Sequence, residues 1–245
     1  MNPPKVALVT GAARRIGAAI VRELHAAGWH VLIHYRGSAV EASALAAGLM
    51  VARPDSAHAL QADLADADAL IVLAQQAQAR WGRLDALVNN ASVYYPTPFG
   101  QTTATQFDDL IASNLRAPLL LTQACAPLMG EGGAVVNIID ALARRPVKGF
   151  TAYHAAKSGL WTLTEALALE LAPRIRVNGV APGHMLWPEY AQMSPEQQLC
   201  ELSRVPLGRL GGGEEIARCV RFLLSGDAAY ITGAVLPVDG GLGLK

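Results

Sequence analysis

Val6-Ala-Leu-Val-Thr-Gly-Ala-Ala-Arg-Arg-Ile-Gly17 runs from four apolar residues, through a turn that holds two glycines, into a helix-like pattern that continues to Ala27. An apolar run this short, with no polar alternation, reads as a strand covered on both faces. Gly11 and Gly17 supply the tight turn and the close approach of backbone that such a junction needs. Outward from this unit, short apolar runs recur at His30-Val-Leu-Ile33, His58-Ala-Leu60, Ala86-Leu-Val88, Ala134 to Ile139, Ile175 to Val180 and Ala234-Val-Leu236. Between them lie helix-like stretches at Val40 to Met50, Asp66 to Trp81, Thr105 to Met129 with interruptions, Ala152 to Leu171 and Gly213 to Ser225. Strands and helices alternate throughout. The order predicts an α/β fold: a Rossmann-like, doubly wound parallel sheet of about seven strands with helices on both faces and a ligand at the carboxyl ends of the strands.

At 245 residues, 52% hydrophobic and 16% charged, the chain can bury about three-quarters of its unfolded surface without disulfides or metals. No Ser/Gly-rich linker or internal repeat divides it, so residues 1–245 are expected to form a single domain. Twenty basic and 20 acidic residues balance, which leaves no global field for nucleic acid or an anionic membrane; small molecules or copies of the chain are the expected partners. Cys125, Cys200 and Cys219 are odd in number and widely spaced, so neither a disulfide framework nor a metal site is expected, and a reducing cytoplasm fits. The first residues enter an apolar strand without a charged leader, and no run approaches the roughly eighteen apolar residues of a membrane span. Residues 182–209, with four prolines and with Trp187 and Tyr190 soon after a strand end, carry no strong pattern and read as a mobile lid over a substrate.

The turn after the first strand, with Arg14, Arg15 and Ile16 in it, opens a helix, which is where backbone amides and a helix N-terminus can hold a pyrophosphate. About twenty residues beyond such a loop an acid selects NAD by binding its ribose hydroxyls. Here the second strand ends His34-Tyr35-Arg36-Gly37-Ser38, with no acid. Arg36, the Ser38 hydroxyl and His34, assisted by Arg14, would instead surround a 2′-phosphate with charge-assisted donors, so NADPH is the expected cofactor. The plainer alternative makes Arg36 an exposed charge at a strand end. Asp63, next to Leu64 after the third strand, could accept from the adenine amine. Asn89, Asn90 and Ala91 after the fourth could border the adenosine ribose, or each could simply terminate a strand.

Tyr153 and Lys157 stand one helical turn apart on one face. An ammonium beside a phenol stabilises the phenolate and makes the phenol a better proton donor. Thirteen residues before Tyr153, at the end of the run Ala134 to Ile139, comes Asp140, whose ionised carboxylate accepts hydrogen bonds and cannot donate one. A turn or helix-capping carboxylate is the other reading of that position. His154 and His184 read as packed or solvated side chains rather than acids.

Taken in order, Thr10-Gly-x5-Gly17, Asp63-Leu, Asn89-Asn-Ala, Asn114, Tyr153-x3-Lys157, Val177-Asn-x-Val-Ala-Pro-Gly183, Ile231-Thr-Gly and Val238-Asp-Gly-Gly241 resemble the short-chain dehydrogenase/reductase family along essentially the whole chain. Two departures, Arg15 where a middle glycine is common and Asp140 where a carbonyl-polarising serine is common, resemble the pteridine reductases within it. So do Ala13-Arg-Arg-Ile-Gly17, His34-Tyr-Arg-Gly-Ser38, Asn90-Ala-Ser-Val-Tyr-Tyr-Pro-Thr-Pro98 and Gly183-His-Met-Leu-Trp-Pro-Glu189. The resemblance implies NADPH-dependent reduction of dihydropterins, of the dihydrobiopterin or dihydromonapterin type, to tetrahydro forms, with dihydrofolate as a further candidate. It implies that Tyr153, bonded to Asp140 and oriented by Lys157, supplies a proton to a ring nitrogen, and that Asn114 links Lys157 to a water. Pro182 and Gly183 would border the cofactor. Tyr94 would stack on the pterin, Ser92 and Arg15 would give it polar contacts, and Trp187 with Glu189 would meet the substrate tail. A homotetramer is also implied, through the helix Gly159 to Leu171, which is apolar over more than one face. Two rivals are a general carbonyl reductase of oxoacyl or sugar ketones, which Ser or Thr at position 140 would favour, and an NADPH-binding sensor without turnover, which an intact Asp140, Tyr153 and Lys157 argue against.

Overall fold

A computed structural model describes residues 3–187 and 193–244. Strands β1 (Val6–Val9), β2 (His30–Tyr35), β3 (Ala57–Gln61), β4 (Leu84–Asn89), β5 (Met129–Ile138), β6 (Ile175–Pro182) and β7 (Val235–Val238) form one sheet in the order β3-β2-β1-β4-β5-β6-β7. Every neighbouring pair is parallel. Successive side chains of a strand point to opposite faces, and here both faces are apolar. Ala7, Val9, Val31, Ile33, Ala86, Val88 and Val136 pack under helices α1 (Arg15–Ala26), α2 (Ala39–Ala52) and α8 (Gly213–Leu224). Val6, Leu8, Leu32, Leu84, Leu87, Val135 and Val177 pack under α3 (Ala67–Trp81), α5 (Ala117–Cys125) and α6 (Thr151–Leu171). Strands with no wet face are why the apolar runs carried no alternation. The order reverses between β1 and β4, which opens a crevice at their carboxyl ends.

The stretch read as Thr105 to Met129 with interruptions resolves into α4 (Ala104–Ile111), a π-helical segment Ala112–Arg116, and α5. Pro118 accounts for the break, because it has no N–H to give to the carbonyl of Asn114 four residues earlier. The reading of residues 182–209 as patternless is corrected: Pro195–Ser203 is a helix, α7. Its N-terminus is closed by a capping box in which the Gln197 amide donates to Ser194 Oγ at 3.3 Å and the Ser194 amide to Gln197 Oε1 at 2.8 Å. Glu189 and Tyr190, assigned to the same segment, lie outside the described residues. Among the described residues no helix is long and apolar enough to cross a membrane, and no group of acids, histidines and cysteines could hold a metal.

Candidate active site

At the crevice, the loops after β1 and β4 are stitched together. The Thr10 hydroxyl oxygen accepts from the amides of Asn90 and Ala91 at 2.9 and 3.0 Å. The Asn90 side chain in turn donates to the carbonyls of Thr10 and Gly11 at 2.9 and 3.1 Å. Gly11 has φ 59°, and a Cβ there would stand 2.9 Å from the Ala91 Cα; a Cβ on Gly17 would be 2.4 Å from the Gly11 carbonyl oxygen. Both positions therefore require glycine. Arg15 has φ 52°, a left-handed conformation that costs a non-glycine residue roughly 1 kcal/mol or more, at the position where glycine was noted as common. Its guanidinium donates to the Trp187 carbonyl at 3.3 Å.

Helix α1 opens with no side-chain cap and no acid in its first turn, so its amides and positive end face a cavity of about 640 Å³. Arg14, Arg15, Ile16, Tyr35, Arg36, Ser38, Asp63, Leu64, Asn90 and Ala91 line it. Arg36 is exposed and forms no ion pair among the described residues. Arg14 meets Glu41 only at 3.8 Å, with both side chains half exposed. A bare helix N-terminus flanked by Arg14 and Arg15, a glycine cradle with no room for a side chain, and Arg36 with Ser38 beyond the second strand fit a phosphorylated dinucleotide.

A second cavity, of about 710 Å³, shares Arg15 and Ser92 with the first. The Tyr153 hydroxyl donates to Asp140 Oδ2 at 2.9 Å, and the other carboxylate oxygen accepts from the Leu142 amide at 2.7 Å. Lys157 is 2% exposed; its Nζ lies 5.9 Å from the centre of the Tyr153 ring and donates to the Ile138 carbonyl at 2.9 Å. Burial brings the Lys157 ammonium down to about 8, against the charge of Asp140, which raises it. The Tyr94 ring stacks on Phe150 with centroids 4.7 Å apart and planes at 5°, and meets Tyr153 edge-on at 4.7 Å. The site therefore joins a charged slot for phosphates to an aromatic-walled chamber whose polar floor is a phenol bonded to a carboxylate.

Compared with known proteins, residues 11–243 match the family profile described as enoyl-(acyl carrier protein) reductase. The chain belongs to the short-chain dehydrogenase/reductase family. It is 40% identical to pteridine reductase 1 of Leishmania tarentolae over 98% of this chain and 96% of that one. It is 36% identical to the 3-oxoacyl-[acyl-carrier-protein] reductase FabG of Staphylococcus aureus, over 99% of each. L-xylulose reductase of Bos taurus is also 36% identical, over 96% of this chain and 95% of that one. The protein is thus an oxidoreductase of a family whose reductases use NAD(P)H.

Several expected residues make other contacts in this oxidoreductase. His34 is buried: its Nδ1 accepts from the Gly11 amide at 3.1 Å, leaving Nε2–H to donate to the Ala62 carbonyl at 3.2 Å. Burial lowers its pKa to about 4, so it is a neutral clamp on the loop rather than a donor to a phosphate. Asn89 is 4% exposed and donates to Thr122 Oγ1 and Asn137 Oδ1, part of an interior ladder that continues to Thr164 rather than a ribose contact. The Asn114 side chain is spent on Ser92, Val93 and Leu110, with Ser92 Oγ donating to its Oδ1 at 2.6 Å, so it does not reach Lys157. Ser92 consequently offers only acceptor lone pairs. Pro182 is buried in β6 with its carbonyl accepting from Ala141, and Gly183 has its Cβ direction blocked 2.6 Å away by Asp239 Cα; of the two, Gly183 lines the second cavity. Trp187 also lines the second cavity. Leu142, Val147, Phe150, His154, Met185, Glu201 and Arg204 also line it and were not anticipated. For Leu142 and Met185 a position just beyond the ends of β5 and β6 was the available signal; Glu201 and Arg204 fall in the segment 182–209 read as covering the substrate.

Proposed function

We propose that this oxidoreductase reduces dihydropterins to tetrahydropterins, with NADPH as its cofactor. One observation carries the reading: an acceptor-only carboxylate stands 2.9 Å from the phenol in an aromatic-walled chamber. A ketone reductase needs a donor at that place to polarise the carbonyl oxygen, and Asp140 cannot be one. A pterin presents amine and ring N–H groups that a carboxylate can accept, and a flat ring suited to the wall around Tyr94. The pteridine reductase relative supports the choice; the oxoacyl and xylulose reductase relatives support only the shared reductase chemistry.

The nicotinamide supplies the hydride when bound. Arg36, Ser38 and Arg14 would hold the 2′-phosphate, and the amides at the start of α1 the pyrophosphate. Tyr153 delivers its hydroxyl proton to a pterin ring nitrogen, and buried Lys157 stabilises the phenolate left behind. Asp140 orients the phenol by accepting from its hydroxyl, and the phenolate regains its proton from water. Asn114 acts through its backbone, since Pro118 has removed the α-helical donor to its carbonyl, which is the group that would hold a water near Lys157. Leu169 on the outer face of α6 is 83% exposed, which supports a homotetramer built partly on that helix. A single domain working in the cytoplasm completes the reading.

The test is NADPH oxidation by purified protein with a panel of dihydropterins and dihydrofolate, beside oxoacyl and sugar ketones. Turnover on the pteridines alone is expected. Turnover on ketones alone overturns the assignment, and NADPH binding without oxidation of any substrate turns it toward a cofactor sensor.

A further inference from the structure

Residues 140–150 form the wall of the second cavity beside Tyr153 and contribute Asp140, Leu142, Val147 and Phe150 to its lining. Both ends of this wall are fastened. At the first end the Ala141 amide donates to the Pro182 carbonyl at 2.9 Å, and the Ser158 hydroxyl donates to the Ala143 carbonyl. At the other, the Thr97 amide donates to the Gly149 carbonyl at 2.7 Å. Between them, residues 144–148 are exposed. In that exposed stretch the Val147 amide donates to Nε2 of His154 at 3.1 Å.

His154 itself is only 6% exposed, and its ring meets that of Tyr153 edge-on with centroids 5.5 Å apart. Because Nε2 accepts, the neutral ring carries its proton on Nδ1, a buried atom that faces the Leu142 backbone without a well-aligned hydrogen bond among the described residues. Burial lowers the imidazole's pKa, against the Asp140 charge and the Leu142 backbone, so the neutral, accepting form is favoured. A buried ring one residue from the proton donor thus grips the exposed middle of the cavity wall.

We propose that His154 is a positioning residue for substrate binding: by accepting the Val147 amide it pins the 140–150 wall to the helix that carries Tyr153 and Lys157, and so sets the width of the chamber. The inference rests on the second cavity being the substrate site. It assigns His154 no proton transfer.

Three variants test it. His154→Leu removes the acceptor at similar bulk, His154→Asn keeps polarity but is too short to reach Val147, and His154→Gln places an amide oxygen near the position of Nε2. Losing one hydrogen bond of this kind is worth roughly a factor of 3–10. The Leu and Asn variants are therefore expected to raise KM for the substrate ~3- to 10-fold, with kcat and NADPH affinity within about twofold of wild type. The Gln variant should restore most of the loss. Hydrogen exchange of the peptide spanning residues 141–150 should be faster in the first two and near wild type in the third. Unchanged KM and exchange in the Leu and Asn variants, or equal losses in all three, overturn the proposal. If the wild-type enzyme reduces only ketones, the pterin reading falls while the same KM comparison on the ketone tests His154; if it reduces nothing, the exchange rates decide.

Discussion

Replacing Asp140 with asparagine keeps the shape of the side chain and removes its charge. One amide oxygen can still accept from the Leu142 amide, as Oδ1 does at 2.7 Å, but the partner of the Tyr153 hydroxyl, now 2.9 Å away, becomes an NH2 group that donates. A hydrogen bond to a charged group contributes about 1.5–3 kcal/mol, and about 1.4 kcal/mol is tenfold in rate. The kcat/KM for dihydropterin is therefore expected to fall roughly 10- to 150-fold. A second consequence runs through Lys157. Its pKa of about 8 is held up by Asp140 against burial, and its charged form is lost as pH rises through that value. The wild-type enzyme should then lose kcat/KM for dihydropterin above about pH 8, and in Asp140→Asn that basic limb should move to lower pH, because the charge that favoured the ammonium is gone. Steady-state kinetics from pH 6 to 10 on both proteins, with NADPH saturating, provide the assay. A variant within about threefold of wild type and with an unmoved basic limb would refute the carboxylate's part in the chemistry.

Tyr153→Phe should bind NADPH as the wild type does, by fluorescence titration, while turnover falls roughly 10²- to 10⁴-fold, the usual range for a lost general acid. Arg36→Ala should raise KM for NADPH about tenfold and leave NADH within about twofold, as expected for one charge-assisted contact to a 2′-phosphate; equal losses with both cofactors would place Arg36 elsewhere. His34→Leu strands the Gly11 amide and the Ala62 carbonyl, so chemical denaturation should show a loss of about 1–3 kcal/mol, along with weaker NADPH binding. Unaltered stability would mean that the loop does not depend on this clamp.

Much of the site was legible because its chemistry sits at points where secondary structure changes. Gly11 and Gly17 follow the first strand, Arg36 and Ser38 end the second, and Asp140 ends the fifth. Tyr153 and Lys157 are joined by helical spacing alone. The misreadings share a cause. His34 and Asn89 are polar residues in the right places along the chain, yet each is turned into the protein, where a neighbouring element claims its hydrogen bonds: the Gly11 loop and the Thr122–Asn137 ladder; the Asn114 side chain is claimed in the same way by Ser92 and Val93, which leaves its backbone carbonyl for the proposed water. The helix Pro195–Ser203 was missed although Ser194 and Gln197 spell its capping box, because the prolines around it suggested irregular chain.

By itself the sequence determined the alternation of strands and helices, the sheet buried on both faces, the glycine turn and the Tyr–Lys spacing, since these depend on periodicity and on contacts within a few residues. Only the tertiary structure decided which polar side chains face a cavity and which are consumed inside, that Arg15 adopts a left-handed backbone at the junction of the two cavities, and that His154 holds the wall beside Tyr153. A buried hydrogen-bonding group must be satisfied by whatever element lies across from it. That partner is set by how distant strands and helices meet, which local sequence does not encode.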